Sequence, residues 1–174
     1  MKRFATLALV ASPALADDPS YGGTAVSSPY TEGSNQLVSV YRKDPVVYWT
    51  SGMSIDCDGQ PGSACNINTD PYFQPNTAWN QSNGQPLKAE ELPFVVVPLA
   101  SARWNYRDSG ISGGDLVVMA YRDRFVCGVV GDLGPSGRIG EASYAAAEAL
   151  GINPNPRSGG TGSGVTYVVF PGVK

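Results

Sequence analysis

The sequence predicts a mainly β fold: a six-stranded, barrel-like core with one short helix packed at its side. Three observations carry this. Six short runs rich in β-branched and aromatic residues, "LVSVY", "VVYWT", "FVVVPL", "DLVVMAY", "FVCGVV" and "VTYVVF", are separated by turn-rich segments. One stretch, "EASYAAAEAL" (Glu141 to Leu150), reads as helix, because Ala is the best helix former and Gly151 stands where a left-handed cap is expected. The 174 residues are 42% hydrophobic and 16% charged, enough for a single domain with a real core.

Taken in chain order, "MKRFATLALVASPALADD" has a basic start, an apolar run and small residues before Asp17, so residues 1–16 read as a secretory signal cut after Ala16. The run is too short to span a bilayer, which takes roughly 20 residues, and a soluble, exported protein follows. Residues 17–35, rich in Gly, Ser and Pro, read as a flexible lead-in, and residues 36–174 as the barrel domain. "DLVVMAY" and "FVCGVV", joined by the three residues 122–124, form the best hairpin candidate. A small-residue helix face allows close approach to a strand, which places the helix against the barrel.

Removing Lys2 and Arg3 leaves 10 basic residues against 15 acidic ones, so the formal charge moves from −3 to −5. Such a chain disfavours nucleic acid and anionic membranes and favours a cationic or neutral partner. Histidine is absent, which removes Ser-His-Asp and Cys-His nucleophiles and His-ligated zinc; chemistry must rest on carboxylates, Lys, Tyr or Cys. In an oxidising compartment Cys57 and Cys65 of "CDGQPGSAC" can close a small loop. Cys127 is then odd, and its place in "FVCGVV" predicts a buried, inert thiol.

Two carboxylates frame a Gly/Pro-bent loop in "GDLGPSGRIGEAS". Asp132 stands at a strand end, either as a turn former or as an active group on a rigid rim. Glu141 is either an acid in the first helical turn, stabilised by the dipole by about 0.3 to 1 kcal/mol, or half of an acid/base pair across one groove. Glycoside hydrolysis needs such a pair. Asp56 and Asp58 flank Cys57 in "SIDCDGQ"; on a strand they face one way, while a disulfide-pinned turn or a calcium ligand pair are the other readings. Of the nearby aromatics, Tyr48, Trp49, Tyr72, Phe73, Trp79 and Trp104, some serve the core and some can stack on sugar rings.

"YWTSGMSIDCDGQ", "LPFVVVPL" and "VVGDLGPSGRIGEASYAAAEALG" together resemble the chitosanases of glycoside hydrolase family 75, over roughly residues 40 to 170. The third piece is more distantly similar to double-psi β-barrels such as expansins and family 45 endoglucanases. The resemblance implies a six-stranded double-psi β-barrel that hydrolyses β-1,4 links of chitosan, endo-acting and inverting, without metal or organic cofactor. It makes Asp132 and Glu141 the catalytic pair, with Glu141 the acid and Asp132 the base, roles to be exchanged if the helix dipole keeps Glu141 charged. Asp56, Asp58, Tyr48 and Trp49 are expected to bind the substrate. A secreted monomer is expected. The alternatives are a non-catalytic, expansin-like polysaccharide-binding barrel and, behind it, a lytic transglycosylase.

Overall fold

A computed structural model describes residues 22–32 and 36–174. The expected signal segment and residues 17–21 and 33–35 of the expected lead-in lie outside these residues.

Strands β5 (Val46–Asp56), β6 (Phe94–Pro98), β7 (Leu116–Tyr121), β8 (Arg124–Gly134), β9 (Glu141–Ser143) and β10 (Thr161–Phe170) form the barrel. The hydrogen-bonded order β5-β10-β7-β8-β6-β9 closes because β9 also pairs with β5. Pairings β6–β8 and β5–β9 are parallel and the rest antiparallel, so the barrel is mixed. The hairpin between β7 and β8 is present, tightened to a two-residue turn: Tyr121 pairs with Arg124, and Arg122 takes the left-handed φ of 56°.

The count of six holds, but its membership differs from the expected runs. "LVSVY" divides between β3 (Gln36–Val38) and β4 (Tyr41–Lys43), which stand outside the barrel: β3 pairs with β2 (Tyr30–Glu32), and β4 lies between β5 and β1 (Thr24–Ala25). The lead-in is therefore not wholly flexible, since β1 and β2 are paired and Tyr30 is fully buried. The sixth barrel strand is β9, the first three residues of the expected helix. There tertiary pairing overrides alanine's helix preference, because Glu141 and Ala142 complete ladders with both β5 and β6. Helix α1 (Tyr144–Leu150) starts only after Ser143, whose hydroxyl accepts the Ala146 N–H, and ends at Gly151 in the left-handed conformation. It buries Ala145, Ala146, Ala147 and Leu150.

All five residues of β6 are buried, on two faces. Val95 and Val97 join the barrel interior with Trp49, Met119, Val130 and Tyr167. Phe94 and Val96 join a second cluster with Cys57, Cys65, Leu87 and Ala89. This second cluster lies under the long connection between β5 and β6, pinned by the Cys57–Cys65 disulfide (S–S 2.05 Å). Glu90 ties the disulfide loop further, accepting N–H bonds from Ala64 and Cys65 at 2.5 and 2.6 Å. A buried strand with cover on both faces reads as a continuous apolar run, as "FVVVP" does. Cys127 is exposed rather than buried. On β8 the inward positions are Gly128 and Val130, and Cys127 falls on the alternate, solvent-facing set with Phe125.

Candidate active site

The barrel's outer wall carries a groove of about 540 Å³ whose lining includes Asp56, Asp58, Asp70, Val96, Asp132 and Glu141. Strand register explains the gathering. Val96 on β6 stands opposite Asp132 of β8 on one side and opposite Glu141 of β9 on the other. Glu141 in turn stands opposite Ser54 of β5, two residues before Asp56. Side chains in one cross-strand row project to one face, so the pair shares a wall with Val96 between them. Their backbones are two strand spacings apart, roughly 9.5 Å.

The loop of residues 135–140 thus brings the two carboxylates to one groove, as expected. Glu141 does so from a strand, and no acid occupies the first turn of α1. The helix dipole is therefore no reason for it to be charged. Burial instead pushes its carboxyl up to about 7, with the negative Asp58 and Asp132 adding to the rise and Arg138 opposing it. Asp132 is also raised by burial, but two backbone N–H groups, from Ala78 and Leu133, donate to its Oδ1 at 2.7 Å each and favour the charged form. The two environments separate an acid that keeps its proton near neutrality from a carboxylate held by donors.

Asp56 closes β5 and accepts the Asp58 N–H at 2.6 Å; Asp58 accepts the Gln74 N–H at 2.7 Å. Both therefore fix local turns as well as facing the groove. Burial raises Asp56 well above the carboxylate range, with Glu141 and Asp58 adding repulsion, and raises Asp58 to about 6. One carboxylate oxygen each of Asp56, Asp58 and Asp132 lies within 4.8 Å of the others, an arrangement able to receive a cation, whether a metal ion or an ammonium. The three carry only part of the six to eight oxygens that calcium takes.

The expected aromatic contacts fall elsewhere. Trp49 is fully buried, stacked on Tyr167 at 5.1 Å and edge-on to Trp104 at 6.3 Å, and no face is left for a sugar. Tyr48 is buried, stacked on Tyr41 at 5.5 Å, and neither lines the groove. Both are structural because the middle of β5 is covered on both faces. The aromatic at the groove is Tyr72, 84% exposed. Its signal was positional: "TDPYFQPN" has turn residues and no strand alternation, which leaves an aromatic on the surface. Asp70, Arg138 and Arg157 at the groove had no sequence signal of their own. Arg157 donates to Thr69 O and Asn68 O at 2.7 and 2.9 Å, joining the loops on either side.

No individual curated protein matches the chain. Residues 53–174, the span from the end of β5 through the groove to the C-terminal strand, match the fungal chitosanases of glycosyl hydrolase group 75. The chain belongs to that family, whose members are chitosan-hydrolysing glycosidases.

Proposed function

We propose that the protein is a secreted, endo-acting chitosanase that inverts at the anomeric carbon. The observation that carries the reading is the row Asp132–Val96–Glu141, two carboxyl groups in opposed environments on one groove wall. In mildly acid solution, where chitosan is cationic, Glu141 keeps its proton and gives it to the glycosidic oxygen as the bond from that oxygen to the anomeric carbon breaks. Asp132 takes a proton from water as the water oxygen bonds to the opposite face of that carbon. Inversion requires carboxyl groups about 6.5 to 9.5 Å apart, and backbones two strand spacings apart are compatible with that range. An open groove on the barrel wall suits attack within a polymer rather than at its end.

An arriving glucosamine ammonium favours the ionised forms of Asp56 and Asp58 that burial disfavours, so that both accept charge-assisted hydrogen bonds from it, and the exposed ring of Tyr72 supplies a stacking face. Clustered acids on an acidic chain draw in a polycation and disfavour uncharged, acetylated units beside them. The disulfide and the basic–apolar–small start of the sequence support export. The enzyme acts as a monomer, away from nucleic acid and membranes. No helix among the described residues is long and apolar enough to cross a membrane. The test is digestion of defined glucosamine oligomers with anomers resolved at early times. An inverted anomer on internal cleavage products is expected; the retained anomer, or release only from chain ends, overturns the respective part of the reading. Binding without release would favour the expansin-like alternative.

A further inference from the structure

A second depression, about 310 Å³, adjoins the acidic groove and shares Ser54 and Gly159 with it. Its lining is residues 52–54, Gly140 and residues 159–162; five of the eight are glycine and none is ionisable. The contrast with the groove is one of ionisable groups: five acidic residues and two arginines line the first cavity and none line the second.

The shelf has a built opening. Between Thr161, opposite Met53, and Val165, opposite Ser51, strand β10 advances four residues while β5 advances two. Residues 162–164 thus bulge from the ladder, and no residue of β5 or β7 stands opposite them. Gly160 is required by the fold, because a Cβ there would meet Met53 O at 2.2 Å and its φ is 84°. Gly162 is not: its φ is not left-handed, and a Cβ would meet nothing within 4 Å. The space beside it is kept open without any need of the backbone.

Position along the groove assigns a side. Crossing the wall, the order is Asp132 (β8), Val96 (β6), Glu141 (β9), Ser54 (β5) and then strand β10, where Thr161 pairs with Met53, the neighbour of Ser54. The acid therefore stands between the base and the shelf. In an inverting pair the base serves the anomeric carbon and the acid the departing oxygen, so the shelf lies on the leaving-group side.

We propose that this shelf is a leaving-group-side subsite that accepts a neutral 2-acetamido sugar unit. Gly52 O, Gly140 O and the Gly159 and Gly160 N–H groups are already paired within the protein, so the shelf meets a neutral acetamido group with an uncharged, small-residue surface, and it gives an ammonium no counter-charge. Beside the carboxylates the preference reverses, since acetylation removes the charge-assisted bonds. Discrimination against acetylated units is thus confined to the acidic part of the groove.

The inference rests on the hydrolytic reading above, and one digest separates the two. Partially acetylated chitosan is hydrolysed and the products are sequenced by mass spectrometry. Acetylated units should lie at or next to the new non-reducing ends, enriched at least about tenfold over the new reducing ends, a difference of about 1.4 kcal/mol. The same digest with Gly162→Phe, checked for an unchanged thermal midpoint, should lose that enrichment and cleave long oligomers more slowly. No reducing ends from fully deacetylated chitosan overturns the hydrolytic reading itself. Hydrolysis with acetyl groups excluded from both ends, or enriched at the reducing ends, overturns the subsite alone, as does a wild-type product pattern from Gly162→Phe.

Discussion

The two faces of β6 are built from the same residue type and do different work. Val95 and Val97 look into the barrel and pack in one apolar cluster with Trp49, Met119 and Tyr167. Val96, between them, looks out, with Asp132 on one side and Glu141 on the other. Both faces stabilise by burial, but the outer one, in its cluster with Leu87 and Ala89, also supplies a dry floor that makes two carboxyl groups expensive to ionise. Chemistry is thereby confined to one side of the strand, and changes on the inner side should leave it nearly untouched.

The largest separation should come from the carboxyl groups. Glu141→Gln and Asp132→Asn should each lower kcat on glucosamine oligomers by about 10²- to 10⁴-fold, the contribution of a general acid or base. Chemical denaturation should show both variants at least as stable as the parent, because each removes a buried acid whose charge is unfavourable. Near-parental turnover in either variant breaks that residue's role. The converse change is Trp49→Ala, which should cost about 3 to 5 kcal/mol of stability. Its KM per folded molecule should stay parental, since the ring is stacked on Tyr167 and does not reach the groove.

The pH dependence sharpens the same division. Glu141 ionises near 4.5 when exposed and near 7 when folded, so between these values the native state holds a proton that the unfolded chain releases. Stability should fall as pH rises from about 4.5 to about 7, and the Glu141→Gln variant should show a shallower fall in denaturation at the two pH values. Activity should decline through about pH 7 as the acid loses its proton. After burial, Asp58 is the largest cause of Glu141's rise. Asp58→Asn should therefore move that decline to lower pH while raising KM for chitosan. An unmoved limb with an unmoved KM would reduce Asp58 to its turn, where it accepts the Gln74 N–H.

The inner face was legible from the sequence, because alternation and apolar runs report burial directly: five of the six expected runs lie in barrel strands. "LVSVY" failed for the reason that edge pairing does not show in composition, and β9 was hidden because Glu141–Ser143 is set by two neighbouring strands rather than by its own propensity. On the outer face, Asp132 and Glu141 were legible through the family-like motif, and Asp56 and Asp58 through their place beside Cys57. Tyr72 stands among the candidate rings, but the sequence points to Tyr48 and Trp49 for the substrate instead, since sequence proximity to the motif says nothing of which face a ring takes. The glycine-lined shelf depends on a bulge, a register event with no residue pattern of its own.

The smallest expected effect lies on β8, which repeats the two-faced arrangement. Gly128 and Val130 face inward, while Cys127 shares the outer face with Phe125, 66% exposed. "FVCGVV" misled because an apolar run bounded by turns does not reveal that one of its faces is left uncovered. Cys127→Ser should change stability by less than about 0.5 kcal/mol, as surface substitutions do. With Cys57 and Cys65 joined, a thiol reagent should label the native, unreduced protein at one site, and denaturation should add none. Labelling that appears only on unfolding would return Cys127 to the interior. It would then place a cover over this part of β8 that the barrel itself does not provide.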